Sequence, residues 1–297
     1  MLFRSGTVEL RSAITGWESL LARASAANAT VSVVASGMLH ADLAVIATNI
    51  GRVDSVSGLR LTSAESAAEL AALLSKSASA NAVVVASGMG YSGAAGDQLN
   101  AVAGALAKVA SIDGNVSITN ALANLEAFLG KCLVGANVSV DATGMNGTKL
   151  TIIVNLELKV DSVSGITFDG LLPMTQFVSL LDRTNGAAAD ATGMDVAYLN
   201  ALATRTSHLA AGGLGGKASL TKDVPNANMV LLFAAMSNAA TVEAVATGMD
   251  IDQLKSLAGQ SGRIVADGVT GTFGISSALV GWQGMLPKVA EGTEQAP

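Results

Sequence analysis

The chain has 297 residues, a length at which two globular domains or an elongated array of repeats is expected rather than one compact core. Half of the residues are hydrophobic, 3% are aromatic, 13% are charged and 32 are glycine, which excludes a disordered chain and is typical of many small packed layers. The formal net charge of −6, with Lys and Arg scattered singly, argues against a nucleic-acid partner.

Membrane and targeting signals are not evident in the sequence. The longest clearly apolar run, Met229 to Met236, is far shorter than the ~20 residues that cross a bilayer, so this segment is predicted not to span a membrane. The first residues lack the pattern of a secretory signal, and we expect the natural start to lie upstream. The single cysteine, Cys132, is expected to be a buried thiol.

Two short phrases recur along the chain. The first ends in Gly-Met and occurs five times, with intervals of 51, 56, 49 and 55 residues between its glycines. These glycines are Gly37, Gly88, Gly144, Gly193 and Gly248. The second phrase lies between the copies of the first and ends in Gly58, Gly114, Gly165, Gly216 and Gly271. Counted from Gly6, the marker glycines are 21 to 32 residues apart in alternating long and short steps, so each full repeat contains two units.

Each unit is predicted to contain a strand, a glycine turn and a helix. Small apolar residues alternate in Val31–Ala35 and in Val138–Ala142, as a strand with one buried face requires. A helix is expected after each turn, as in the segment where Asp250 and Gln253 have capping-box spacing and Leu254, Leu257 and Ala258 share a face. A second such helix is expected where Thr62 and Glu65 have the same spacing before a stripe of Leu70, Leu73 and Leu74.

This pattern predicts an α/β protein, a right-handed, horseshoe-like solenoid whose strands form a parallel sheet. Strand, helix and next parallel strand are almost always connected right-handedly. Eleven strands about 4.8 Å apart would extend the sheet by roughly 50 Å. We expect one solenoid over residues 1–290, with about five two-unit repeats continuing beyond both ends, and a loose tail over 291–297.

In its repeat length, the chain resembles a leucine-rich-repeat-like solenoid of the kind found in large, repetitive bacterial surface and adhesin-like proteins. It differs from the leucine-rich pattern in having Val and Ala in the strands and Gly-Met where an Asn ladder is usual. The resemblance implies an extracellular or cell-surface location, and neighbouring repeats of a longer chain as structural partners.

The recurring residues have a structural interpretation and a functional one. The five Gly-Met glycines are expected at sharp turns that need positive φ. The residue before each of them forms a hydroxyl column, which either bonds to the turn backbone or offers a polar stripe to a partner. The column consists of Ser36, Ser87, Thr143, Thr192 and Thr247. Asp141 and Asp190 are expected to be neighbours in an adjacent column, either as solvated acids or as part of a calcium or glycan site.

No catalytic constellation is predicted. The two histidines, His40 and His208, have no carboxylate or nucleophile placed consistently beside them in sequence, and no phosphate loop or metal-ligand spacing occurs. We therefore expect no catalytic residue, cofactor or metal, and we expect a structural or interaction module that binds a protein or glycan surface. The alternative is a solenoid that binds glycan or calcium through its exposed Ser/Thr and Asp columns.

Overall fold

The computed structural model describes residues 6–26, 29–90, 97–293 and 295–296, which form two compact units. The first unit comprises the described residues up to Asp141 together with Asn155–Asp161, and the second comprises Ala142–Val154 and the described residues from Ser162 onward. The strands are β1 (Thr7–Arg11), β2 (Thr30–Val34), β3 (Ser55–Ser57), β4 (Arg60–Leu61), β5 (Ala82–Val85), β6 (Val109–Asp113), β7 (Asn115–Thr119), β8 (Asn137–Asp141), β9 (Ser162–Ser164), β10 (Thr167–Phe168), β11 (Ala187–Asp190), β12 (Leu209–Gly215), β13 (Lys217–Leu220), β14 (Thr241–Val245), β15 (Ile264–Thr270), β16 (Phe273–Gly274) and β17 (Gln295–Ala296). The helices are α1 (Trp17–Ala26), α2 (His40–Thr48), α3 (Ala67–Lys76), α4 (Gln98–Ala103), α5 (Leu125–Lys131), α6 (Gly147–Asn155), α7 (Met174–Asp182), α8 (Val196–Ala203), α9 (Asn226–Ala235), α10 (Ile251–Gly259) and α11 (Trp282–Met285).

The strands pair in parallel, and a helix separates the paired strands in sequence. In the first unit the orders are β1-β2-β3 and β4-β5-β6, and β7 pairs with β8. In the second unit the orders are β10-β11-β12 and β13-β14-β15, and β16 pairs with β17, which lies within the predicted tail. The predicted α/β class with parallel strands is therefore confirmed.

The sheets are small because a glycine interrupts each copy of the second phrase. Gly58 separates β3 from β4, and φ at this glycine is 65°. The glycines that end the other copies have φ values from 66° to 86°. A residue with positive φ leaves the β region, so the strand ends and the chain resumes in the next sheet. The result is a series of sheets of two or three strands instead of the continuous sheet expected from the sequence.

Strand register is more even than the spacing of the marker glycines. Thr7 pairs with Thr30, 23 residues later, and Ser32 pairs with Ser55 at the same interval. Among the paired strands, the interval ranges from 21 residues at Thr167 to 28 at Val83. The alternating spacing of the glycines arises because the first-phrase glycine lies beyond its strand, whereas the second-phrase glycine lies between two strands.

The core of each unit lies between the buried face of the strands and the apolar stripes of the helices. In α10 the predicted residues Leu254, Leu257 and Ala258 are buried, and Asp250 and Gln253 form the predicted capping box. In α3 the predicted leucine stripe is buried, but the cap differs from the prediction. Ser66 caps α3 with Glu69, while Thr62 and Glu65 bond to each other in the turn before the helix.

A basic residue ends each short 3₁₀ helix within the described residues. These residues are Arg52, Lys108, Lys159, His208, Arg263 and Lys288. Three of them donate to a main-chain carbonyl just beyond the C-terminus of an earlier helix: Lys159 to Cys132, His208 to Thr184 and Arg263 to Ser237. These side chains therefore hold the segments that follow α5, α7 and α9, each through a main-chain carbonyl.

Replacing Lys159 with methionine should lower the free energy of unfolding by about 1.5 kcal/mol, since a charged hydrogen bond to the Cys132 carbonyl is lost. Urea denaturation measures the change. Lys131→Met, at the last residue of α5, removes a charge near the same carbonyl and should have a smaller effect. Equal losses in the two variants would show that charge alone, and not the hydrogen bond, stabilises the helix end.

Candidate functional site

The five Gly-Met glycines lie in turns of one geometry. In each turn the methionine N–H donates to the carbonyl of the alanine three residues earlier, over 2.9 to 3.1 Å. The glycine is at the third position, with φ between 70° and 79°. This combination defines a type II turn, which favours glycine at that position because other residues rarely adopt positive φ.

The hydroxyl column lies at the second position of these turns, and its five side chains are exposed. Three of the hydroxyl oxygens accept a hydrogen bond from the residue that follows a second-phrase glycine. The bonds are Asn115 N–H to Ser87 (2.9 Å), Lys217 N–H to Thr192 (3.0 Å) and Thr272 N–H to Thr247 (2.9 Å). We call this contact the hydroxyl joint.

The hydroxyl joint requires a glycine in the second phrase. A Cβ built on Gly114 would lie 3.2 Å from the Ser87 nitrogen and closer still to its hydroxyl oxygen. At Ser36, a Cβ built on Gly58 would be equally close to the serine nitrogen. The first and second phrases are therefore contact partners, and the hydroxyls of the three bonded residues are partly occupied by the backbone.

The two predicted acidic residues belong to different units. Asp141 ends β8 in the first unit and pairs in register with Thr119, whereas Asp190 ends β11 in the second unit. Both are exposed. Asp190 Oδ1 accepts the Thr192 N–H at 2.9 Å. This backbone bond, followed by a bond from the Thr192 hydroxyl, holds the pKa of Asp190 below its ordinary value.

The lowered pKa gives a signed prediction for pH dependence. Stability from ionised Asp190 is present above the ordinary aspartate pKa of about 4 and is lost as the pH falls through the lower folded-state value. Asp190→Asn should lower the urea midpoint at neutral pH and weaken its decline in acid, by a small amount because the residue is exposed. Asp252→Asn in α10 is the control, because it removes an exposed carboxylate that bonds to the Lys255 side chain and not to a backbone N–H. Parallel acid profiles for Asp190→Asn and the wild type would contradict the prediction.

Acidic residues in the second phrase have a structural role that the sequence analysis did not assign. Asp54 Oδ2 accepts the Val31 N–H at 2.6 Å, and Asp161 Oδ2 accepts the Val138 N–H at 2.7 Å. Each carboxylate thus accepts a hydrogen bond from a strand N–H 23 positions earlier in the chain, so neither is a free surface acid.

The exposed side of the strands carries small polar residues that bond to one another. In the first unit, Asn137 Nδ2 donates to Asn115 Oδ1 at 3.3 Å, and the hydroxyls of Ser117 and Ser139 are 3.3 Å apart. Ser32 pairs in register with Ser55 on the same side of β2 and β3. We call these six residues the polar strand face. The six side chains are short and uncharged, four of them on β7 and β8 and two on β2 and β3, where Glu9 of β1 pairs in register with Ser32.

A buried carboxylate beside a histidine was not predicted. Glu65, whose side chain is 2% exposed, accepts the Thr62 N–H at 2.7 Å and the Thr62 hydroxyl at 3.1 Å. Its other oxygen is 3.3 Å from His40 Nδ1, and the His40 side chain is 46% exposed. The pair borders a depression of 250 Å³ that Arg60 also lines. The sequence alone did not predict this contact, because the two residues are 25 positions apart in the chain.

Glu65 is an exception among equivalent positions. The turn after each second phrase has a hydrophobic residue, then Thr, Asp or Ser, two further residues and a final buried position. The final residues of the other four copies are Leu122, Leu172, Val224 and Leu279. This alignment is a signal that the sequence already contained. Because the Glu65 oxygens already have partners, the carboxylate can orient the imidazole and hold the turn.

Cys132 is buried, as expected, and its thiol faces the Phe128 carbonyl at 3.6 Å. Burial raises its pKa to about 12. At neutral pH the residue is therefore a protonated thiol with little reactivity.

The fold and these sites place the chain among mixed α/β proteins with small parallel sheets. No protein-family model and no curated protein matches it. Across the described ranges, no group of three or more His, Cys, Asp or Glu side chains is arranged to hold a metal ion. Within these same ranges, no helix has the length and hydrophobicity needed to cross a membrane.

Proposed function

We propose that the chain is a non-catalytic interaction module, an α/β solenoid segment of a large secreted or cell-surface protein. The observation that carries this proposal is the polar strand face, where exposed side chains bond to their neighbours on adjacent strands. The bonded side chains are arranged along and across the strands, so partners are best sought among extended protein or glycan surfaces.

The chemistry of the face supports a binding role over a catalytic one. Catalysis needs a nucleophile, a base and an oxyanion donor that converge on one point. Ser117 and Ser139 bond to each other, and Asn115 bonds to Asn137, so these groups are arranged in rows. Rows of short polar side chains suit a partner that also extends along the strands.

The hydroxyl joint supports the solenoid part of the proposal. At three places in the chain, it links a first-phrase turn to the residue that follows the next second-phrase glycine. A right-handed solenoid would use this joint once in each two-unit repeat, and the resemblance to repetitive bacterial surface proteins fits this arrangement.

Small-angle scattering with circular dichroism tests the architecture, and a glycan array tests the binding role. An elongated particle of mixed helix and strand is expected, whereas a compact two-lobed particle would contradict the solenoid. Ser139→Arg should abolish array binding that Ala127→Arg, on the exposed side of α5, leaves unchanged. Binding that survives Ser139→Arg would rule out this face.

The alternative is glycan or calcium binding through the Ser/Thr and Asp columns. The exposure of Asp141 and Asp190 favours it, because their carboxylates are accessible to a ligand. Calcium that binds only the folded chain must raise the melting midpoint. An unchanged melting midpoint in millimolar calcium would contradict calcium binding. Glycan binding by the same columns would then be tested on the glycan array.

A further inference from the structure

Two copies of the second phrase contain a two-residue insertion that changes the strand. In the first three copies, two residues separate a pair of buried aliphatic side chains: Val53 and Val56, Val109 and Ile112, Val160 and Val163. In the last two copies, four residues separate Leu209 from Leu214 and Ile264 from Val269. The pairing of β14 with β15 shifts at this point, so the extra residues form a bulge on β15.

The bulge on β15 contains Asp267 in an unfavourable backbone conformation. Its φ is 55°, whereas the equivalent residue in β12 is Gly212, with φ of 64°. The next residue, Gly268, has no room for a side chain, because a Cβ there would lie 2.8 Å from the Val265 carbonyl oxygen. Glycine would suit position 267 better than aspartate. Aspartate is one of the few other residues that adopt this conformation, so the bulge can carry a carboxylate here.

The bulge borders a depression of 260 Å³ on the exposed side of β13, β14 and β15. Its polar lining includes Ser219, Thr221, Glu243, Asp267 and Thr270, and Val245, 46% exposed, adds an apolar wall. Lys217 Nζ is 2.9 Å from Glu243 Oε1. The depression thus combines two carboxylates, several hydroxyls and a small apolar surface.

These groups match the hydrogen bonding of a sugar. Carboxylates are strong acceptors for hydroxyl donors, and the serine and threonine hydroxyls can either donate or accept. The apolar wall at Val245 suits the C–H face of a sugar ring. An acidic sugar would be repelled, since Glu243 and Asp267 are two carboxylates and Lys217 is one cation.

We propose that this depression binds one neutral sugar residue of a glycan, with Asp267 and Glu243 accepting from ring hydroxyls. The inference rests on the proposed function, because it names a partner class for the exposed strand side. It differs in location from the polar strand face, which lies in the first unit. Failure of one proposal can therefore be distinguished from failure of the other.

The test is an NMR titration of the whole chain with methyl glycosides of neutral hexoses, added one at a time. We expect amide shifts at Ser219, Glu243 and Asp267 with at least one glycoside. Asp267→Asn should weaken that affinity about tenfold, because a charged acceptor is replaced by a neutral one. Asp252→Asn in α10 is the matched control and should bind like the wild type.

Asp267→Gly separates binding from folding. It places in β15 the residue that β12 has at the equivalent position, so we expect an equal or higher melting midpoint together with loss of binding. Undiminished affinity in Asp267→Gly, or no shift at the depression with any glycoside, would overturn the proposal. Shifts that require calcium and vanish with a chelator would also overturn it, by identifying a cation as the ligand.

Discussion

Replacing Gly114 with alanine is expected to lower the free energy of unfolding by more than about 2 kcal/mol. Two effects add at this position. The glycine has φ of 83°, which alanine adopts at a cost, and the new Cβ would press on the Ser87 hydroxyl and lie 3.2 Å from its backbone nitrogen. Urea denaturation followed by circular dichroism measures the loss.

Gly130→Ala is the matched control in the same unit. Gly130 lies inside α5, has no positive φ and has open space where a Cβ would be, so alanine should stabilise the chain by about 0.5–1 kcal/mol. Ser87→Gly should partly rescue Gly114→Ala, because it removes the hydroxyl nearest the new methyl group. Additive effects of the two substitutions would show that no steric contact exists at the hydroxyl joint.

Glu65→Leu should leave the free energy of unfolding within about 1 kcal/mol of the wild type or raise it, whereas Glu65→Ala should lower it by about 2–3 kcal/mol. Leucine has a similar volume and is the residue found at Leu122 and Leu172 in equivalent turns. Both substitutions remove the carboxylate that accepts the Thr62 N–H, but alanine also leaves a cavity that leucine fills. Thermal and urea unfolding of both variants measure the difference.

His40→Ala is the control for the contact between His40 and Glu65. The His40 side chain is nearly half exposed, so its removal should cost less than Glu65→Ala. If Glu65→Leu unfolds as readily as Glu65→Ala, the carboxylate is required by the fold itself. If the leucine variant is stable, the fold does not explain Glu65, and its contact with His40 becomes the feature to study.

Single strands and helices could be predicted from the sequence, because each depends on residues that are close together in the chain. The strand at Val31–Ala35, the leucine stripe of α3 and the capping box of α10 each depend on residues within one turn or strand. Side-chain alternation and helical spacing report directly on one buried face.

The division into small sheets could not be read in the same way. Gly58 and Gly37 both have positive φ, but one separates two strands and the other lies in a type II turn. The sequence shows a glycine in both cases, and only the pairing register of neighbouring strands distinguishes the two positions. When the glycines of both phrases are counted as one series, their spacing alternates between long and short. The intervals between paired strands do not alternate in this way.

The candidate sites depended even more on register. The hydroxyl joint between Ser87 and Asn115 and the contact between His40 and Glu65 each join residues more than 20 positions apart. The bulge at Asp267 was different, because its two extra residues are visible when the copies are aligned. Placing Glu243 beside it required the pairing of β14 with β15.

The hydroxyl joint also predicts which insertions and deletions such a chain tolerates. Each joint needs a Ser or Thr turn on one coil and a bare glycine on the next, as at Thr247 and Gly271. Adding a segment with only one of the two phrases would place two like phrases in succession, and one of them would lack its joint partner. A segment with both phrases, such as the 51 residues from Gly37 to Gly88, contains both partners, so we expect tolerated insertions and deletions to contain one copy of each phrase.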